Sequence, residues 1–140
     1  MTQDQSGIQA VDSLSSNEFQ VEIDGEVAVG IFGVHGLHVR SFDLAAGRLV
    51  NQPLIVTKMV QRDPDLPFNR WTRETLANPT SRVTRELAIV AMDEGVETRR
   101  WVYKGAWISD IAFSDFDSGS EILIEERLTI QHAGVEEIWP

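Results

Sequence analysis

Residues 18–31 read EFQVEIDGEVAVGI. Phe19, Val21 and Ile23 alternate with Gln20, Glu22 and Asp24. A period of two marks a strand with one buried face. Asp24-Gly25 follows at once and is a two-residue hairpin signal, because both residues tolerate a positive φ. The sequence then predicts a second strand with Val27, Val29 and Ile31 on one face and Ala28 and Gly30 on the other. Gly33 and Gly36 punctuate its end and predict a bulge or bend near His35. An amphipathic antiparallel hairpin is therefore the seed of the fold.

Outward from this hairpin the chain continues mostly in strand-like runs. Residues 54–62, LIVTKMVQR, place Leu54, Val56 and Val60 on one parity, interrupted by Lys58, and Ile55 and Met59 on the other. Residues 83–92 are apolar on both parities. Asp93-Glu94-Gly95 reads as a turn. Residues 96–108 carry Trp101, Tyr103 and Trp107 on one parity. A loop over 113–120 precedes a last strand over 121–132, where Ile122, Ile124, Leu128 and Ile130 alternate with Glu125, Arg127, Thr129 and Gln131, and Leu123 and Glu126 break the pattern. Residues 41–51 read equally as a long loop or the tip of an extended hairpin. One helix is predicted after Asp63 and Asp65, which offer capping oxygens. Pro67 suits its first turn, Phe68, Trp71, Thr75 and Leu76 share a face, and Asn78-Pro79 ends it. About six strands and one short α-helix define a mainly β protein, an antiparallel β-sandwich or barrel.

The chain has 140 residues, so one domain is expected over residues 18–140, preceded by a polar arm over residues 1–17. The arm has no positive n-region and no continuous apolar stretch, so it does not read as a signal peptide. Ile8, Val11 and Leu14 would let it order on a neighbouring subunit; otherwise it is a loose terminal segment. Hydrophobic residues make up 42% of the chain, enough for a core. No run of about 18 apolar residues exists, which excludes a membrane-spanning helix. The absence of cysteine excludes disulfides, thiolate metal sites and a thiol nucleophile. A net charge of −10 argues against non-specific nucleic-acid binding.

Catalytic and cofactor chemistry finds no support. His35 and His38 would point to opposite faces of a strand, and His132 is distant in sequence, so no metal set forms. No serine lies in a nucleophile elbow, and no glycine run cradles phosphate. Paired acids such as Asp115 and Asp117 suit solvated turns better than a glycosidase cleft. The reading is of a protein that is not an enzyme and binds no cofactor and no metal. One feature calls for more. The strands over 54–62 and 121–132 have packing-capable residues on both faces, and edge strands have nothing to cover them. Both point to assembly through sheets.

The order of several segments resembles contractile-phage tail tube proteins. Residues 18–25 are similar to the opening strand of that family, and Val34-His35-Gly36-Leu37 to the step that follows its second strand. Residues 85–95, RELAIVAMDEG, resemble the family's strand and turn. Arg100-Trp101-Val102-Tyr103, Ala106-Trp107 and Ile108-Ser109 resemble its tryptophan-bearing strand. Residues 119–125 with Leu128, His132 and Gly134 resemble its closing segment. Two departures stand out. Residues 42–53 replace a lysine-proline-glycine stretch, and Ile108 stands where the family has proline. They favour a diverged member such as the inner tube of an extracellular contractile injection system. Residues 53–58, PLIVTK, and Trp139 are also similar to the type VI secretion tube, the haemolysin-coregulated protein.

The resemblance implies a hexameric ring of β-sandwich subunits with a shared inner β-barrel, and rings that stack into a tube. The implied partners are sheath subunits, baseplate, spike and tube-cap proteins, and luminal protein cargo, or DNA in a phage, with no membrane. The tube would assemble in the cytoplasm, as part of a phage tail or a tail-like particle that can be released. Bulk tube, baseplate tube-initiator and type VI tube remain open, beside a monomeric β-sandwich binding module. An acidic lumen would ease passage of acidic cargo. Trp71, Trp101, Tyr103 and Trp107 are expected in the core or between layers, against an exposed stacking platform as the alternative. Candidate interface residues are Phe42, Leu44, Arg48 and Leu49, in a segment that either touches a neighbouring ring or subunit or lies in solvent. Arg99, Arg100, Asp115 and Asp117 are candidates for charge pairs between rings.

Overall fold

Asp24 and Gly25 both have positive φ, 50° and 84°, and they join β1 (Phe19–Ile23) to β2 (Glu26–Ala28) as an antiparallel hairpin. The structure, a computed structural model, describes residues 13–14, 17–37 and 40–140, without the side chains of Arg40, Leu49 and Val50. Most of the proposed arm, and His38, lie outside the described residues. Val21 and Ile23 are buried as the alternation predicts.

The second strand breaks at Val29-Gly30, and β3 (Ile31–His35) starts afresh. Gly30 has a φ of 80°, and a Cβ there would stand 2.5 Å from the Gln61 amide nitrogen and 2.9 Å from Met59. Only glycine fits this crossing from one sheet to the other. The hairpin register reverses the expected faces of β2, because it sets Ala28 opposite the buried Val21 and Val27 opposite Glu22. Ala28 is buried, while Val27 and Val29 are exposed. The bulge lies between Ile31 and Gly33, slightly before His35.

Beyond β3 come β4 (Arg40–Asp43), β5 (Arg48–Asn51), β6 (Leu54–Met59) and α1 (Pro67–Ala77). Then follow β7 (Arg85–Asp93), β8 (Val96–Phe113), β9 (Glu125–Gln131) and β10 (Gly134–Ile138). The mainly β antiparallel class with one helix stands. The described residues hold ten strands rather than about six, because the second run splits, the ambiguous segment forms a hairpin and the C-terminus adds β10.

Strand β8 builds the sandwich. It is 18 residues long, about three times the usual strand. Its first half pairs with β7 on one side and β10 on the other, in a sheet completed by β1 and β2. Its second half pairs with β9, which continues through β6 to β3. Extra residues inserted into β8 let it turn from one layer to the other. One insertion sits opposite Arg85–Leu87, at Lys104-Gly105. It flips the parity, so that Ala106 and Ile108 enter the core after Tyr103, and Trp107 does not follow Trp101. Trp107 instead lies under the Arg82 guanidinium, 4.6 Å from its ring centre.

The core lies between the layers. Val21, Ile23, Leu87, Ile89 and Tyr103 come from one sheet, and Leu54, Val56, Ile108, Leu128 and Ile130 from the other. Helix α1 adds Phe68 and Trp71 to this core. The Trp71 indole N–H donates to the Val83 carbonyl at 2.8 Å. Leu66 precedes the helix without a side-chain cap. Asp63 instead accepts the Asp65 N–H in the turn before it, at 2.9 Å. Leu76 is exposed, since it falls at the margin of the buried face. The last strand begins at Glu125 rather than 121, which leaves Ile122 and Leu123 in the loop before it.

Candidate assembly surfaces

Among the described residues, two edges of the layer made of β3, β6, β9 and the second half of β8 have no strand paired to them. Among the described residues β3 pairs only with β6, and β7 leaves β8 at Ala106. Segment 78–83 lies near Trp107 and Ser109, so the open part of β8 is residues 110–113. Each neighbouring pair is antiparallel, so β3 and β8 run in opposite directions. The outward face of this layer carries Ile55, Thr57, Thr129, Gly33 and His35, with Asp110, Glu125 and Arg127 as its charges along the paired rows. Met59 and Ala112 share this face with Ile55, so it is mixed in polarity with nearly balanced charge, and the chain's −10 is not concentrated here.

Lys58 and Glu126, which broke the alternation of their strands, face each other in register on the core side. The ammonium and carboxylate meet at 2.9 Å, with side chains only 1% and 6% exposed. The ammonium also donates to the Met59 carbonyl at 2.9 Å. Two residues that look misplaced singly thus satisfy each other.

Two loops leave opposite ends of this layer. At the His35/Leu54 end stands the β4–β5 hairpin, a separate two-stranded sheet among the described residues. Its root is fixed on both legs. The Tyr103 hydroxyl donates to the Leu37 carbonyl at 3.3 Å, the Asn51 amide donates to the Ala133 carbonyl at 3.2 Å, and His132 Nε2 lies 2.9 Å from the Gln52 carbonyl. His132 also packs edge-on against Tyr103. Phe42 and Leu44 are 76% and 89% exposed on the hairpin, and Arg48 is exposed beside them. The side chain of Leu49 lies outside the described residues.

At the Met59/Glu125 end the chain forms a loop over residues 114–124. Ser114 N–H donates to the Glu125 carbonyl and Val60 N–H to the Ile124 carbonyl, which ties the loop to the strand ends. Phe116 and Ile122 are 86% and 85% exposed, and Leu123 is exposed as well. Asp115 and Asp117 lie in this loop, with the Asp117 carboxylate accepting the Gly119 N–H. The sequence singled out the acids here, passed over Phe116, and assigned Ile122 and Leu123 to the last strand. Their signal was large side chains in a turn-rich stretch with no core to serve.

Arg99 and Arg100 do not join Asp115 and Asp117. They lie on the first half of β8, in the other layer. Arg100 is held within its own chain by a two-pronged contact to Glu22, at 2.7 and 3.2 Å, and by Glu97 at 2.7 Å. Its hydrogen bond holds the Glu97 carboxyl below the usual carboxylate range, against an opposing effect of burial. Arg99 stacks on Trp139, 3.4 Å from the ring centre. Trp71 and Tyr103 are buried and Trp101 is half-buried, so no exposed aromatic platform forms from them. Among the described residues no cluster of three or more metal-ligating groups exists, and no helix is long and apolar enough to cross a membrane.

The described residues thus form a β-sandwich with two unpaired strand edges in one layer and a projecting loop at each end of it. The family model of the T4-like virus tail tube protein gp19 matches residues 40–136, well over half of the chain. The chain belongs to that family, and it is a structural tube subunit of a contractile injection system or phage tail. No curated protein matches it by sequence. Among solved structures it is similar to the anti-feeding prophage cap, with a TM-score of 0.71 and 17% identity over 97% of this chain and 98% of that one. It is similar to a chain of the sheath–tube complex of the PVC extracellular contractile injection system in its extended state, with a TM-score of 0.67 and 13% identity over 99% and 100%. Hcp1 from Flavobacterium johnsoniae follows, with a TM-score of 0.58 and 11% identity over 88% and 96%.

Proposed function

We propose that six copies close into a ring whose inner wall is the layer of β3, β6, β9 and the second half of β8. The observation that carries this is the pair of open edges with opposite strand direction. Copies related by rotation about one axis then set β3 of each against β8 of the next in antiparallel fashion, and no edge is left. Six copies, the number the family resemblance implies, give a barrel of ~24 strands, wider than the 16–18 that already leave an aqueous channel. The outward face described above then lines the lumen. In this reading that wall is mixed in polarity and nearly neutral in charge, in contrast to the acidic lumen expected from net charge. Cargo passing it would meet neither strong repulsion nor strong attraction.

In this reading the chain does no catalysis. Rings stack into a tube, a sheath surrounds it, and baseplate and cap proteins bound its ends. A tail-like particle assembled in the cytoplasm and later released fits the same role. The structural likeness to Hcp1 also fits a type VI tube, but the family match favours the phage-tail and injection-particle branch. The test is electron microscopy of the purified protein in negative stain, with its mass measured by light scattering. Six-fold rings or hollow stacks are expected. A protein that stays monomeric at high concentration overturns the reading and returns the monomeric binding module to first place.

A further inference from the structure

Among the described residues the core opens to solvent as a groove of about 430 Å³ between the two layers. Phe19, Ile89 and Trp101 line it from the first sheet, and Phe32, Val34 and Leu37 from β3 and the residues just after it. Ile89 is buried in the core, and Phe19, Val34, Leu37 and Trp101 pack against that core half-buried. The groove is thus an unfinished part of the core. Four consecutive residues of β3, Phe32 to His35, border it. Successive side chains of a strand point to opposite faces, so the groove runs along the edge of β3 rather than under one face. An apolar opening beside a strand edge is a liability for a soluble chain.

Leu14 lines the same groove, and both it and Phe32 are 45% exposed. Ile8 and Val11 precede Leu14 at three-residue intervals, and between Thr2 and Ser13 they are the only large apolar side chains. The chain from Leu14 back to Ile8 reaches at most ~20 Å, and the five residues of β3 span ~17 Å, so the segment matches the edge in length. The segment is also tethered to the groove's own wall, since Phe19 follows Leu14 by only five residues. A tether that short gives an effective concentration on the order of millimolar, well above that of the same segment from another copy in dilute solution.

We infer that residues 8–14 of each chain occupy the groove of that same chain, with Ile8 and Val11 joining Leu14 against Phe32, Val34 and Trp101. The seat completes the core and shields the apolar side of β3 from chance contacts. It uses the two layers of one chain only, so it holds for a single subunit and for a ring alike and does not rest on the ring reading. The arm is then neither a loose terminal segment nor a link to a neighbouring subunit.

The test compares the full chain carrying Ile8→Ser and Val11→Ser with wild type. The dye ANS brightens on open apolar surface. The variant should brighten it at least about fivefold more than wild type and unfold about 5 °C or more lower. Equal brightness in the two proteins overturns the inference. If both are bright, the groove stands open to a small apolar ligand; if both are dark, something other than the arm closes it. A disulfide then reads whose arm fills the seat. The chain has no cysteine, so Val11→Cys with Phe32→Cys supplies a single pair. After mild oxidation a bond within one chain is expected, and the protein should run at the mass of one subunit in a denaturing gel. Bonded dimers or larger ladders overturn the own-chain seat and give the groove to the arm of a neighbouring copy. Free thiols that persist under oxidation overturn it as well.

Discussion

Lys58 and Glu126 sit across from each other on β6 and β9, with their charges sealed into the sandwich. Removing one partner leaves the other charge buried and unpaired. Lys58→Ala should therefore cost about 3–5 kcal/mol of stability, whereas Lys58→Met with Glu126→Leu should come within about 1 kcal/mol of wild type or exceed it. Unfolding in urea measures both. Similar losses in the single and double variants would show that packing volume, not the charge pair, sets the cost. Each of these residues is visible in the sequence as a break in its strand's alternation. Their mutual answer is not, because it depends on the register of two strands 68 residues apart.

At the scale of elements, Arg100 ties β8 to β1 across β7 by holding Glu22, and it holds Glu97 on its own strand. Glu97 titrates below its ordinary value of 4.5 because of that hydrogen bond. A depressed carboxyl contributes stability that is present above the ordinary value and is lost as pH falls through the lowered one. Arg100→Met removes that contribution. Its deficit in urea midpoint against wild type should be larger at pH 7 than at pH 3. A deficit that does not change with pH would mean that the arginine acts through packing alone. The strands β1 and β9 were legible from period-two patterning, β7 from an apolar run closed by a turn, and α1 from its proline start and asparagine-proline end. The face of Trp107 was not legible. An extra residue at Lys104-Gly105 reverses parity, and no alternation rule registers an insertion whose only sign is the partner strand.

For the whole molecule, ring closure predicts a change in amide exchange. Among the described residues, 31–35 of β3 and 110–113 of β8 have a strand partner on one side only. On assembly their exchange should slow by about tenfold or more, while β7, already paired on both sides, should not respond. Rings that form without protecting these two edges would place the contact elsewhere on the chain. The candidate interface residues divide by the same logic. Phe42, Leu44 and Arg48 lie on one projecting end and Asp115 and Asp117 on the other, while Arg99 and Arg100 are occupied in the other layer.

By itself the sequence determined the class of the protein: strand periodicity, turn chemistry at Asp24-Gly25 and Glu94-Gly95, one helix, no cysteine, and a segment order resembling tail tubes. These are properties of short stretches, and short stretches are governed by local backbone preference and by which side chains avoid water. Only the tertiary structure decided which layer has open edges, that the two exposed loops leave its opposite ends, and that Lys58 is paired rather than misplaced. Those outcomes depend on register and on the course of β8 between layers. Both are set by contacts between residues far apart in the chain.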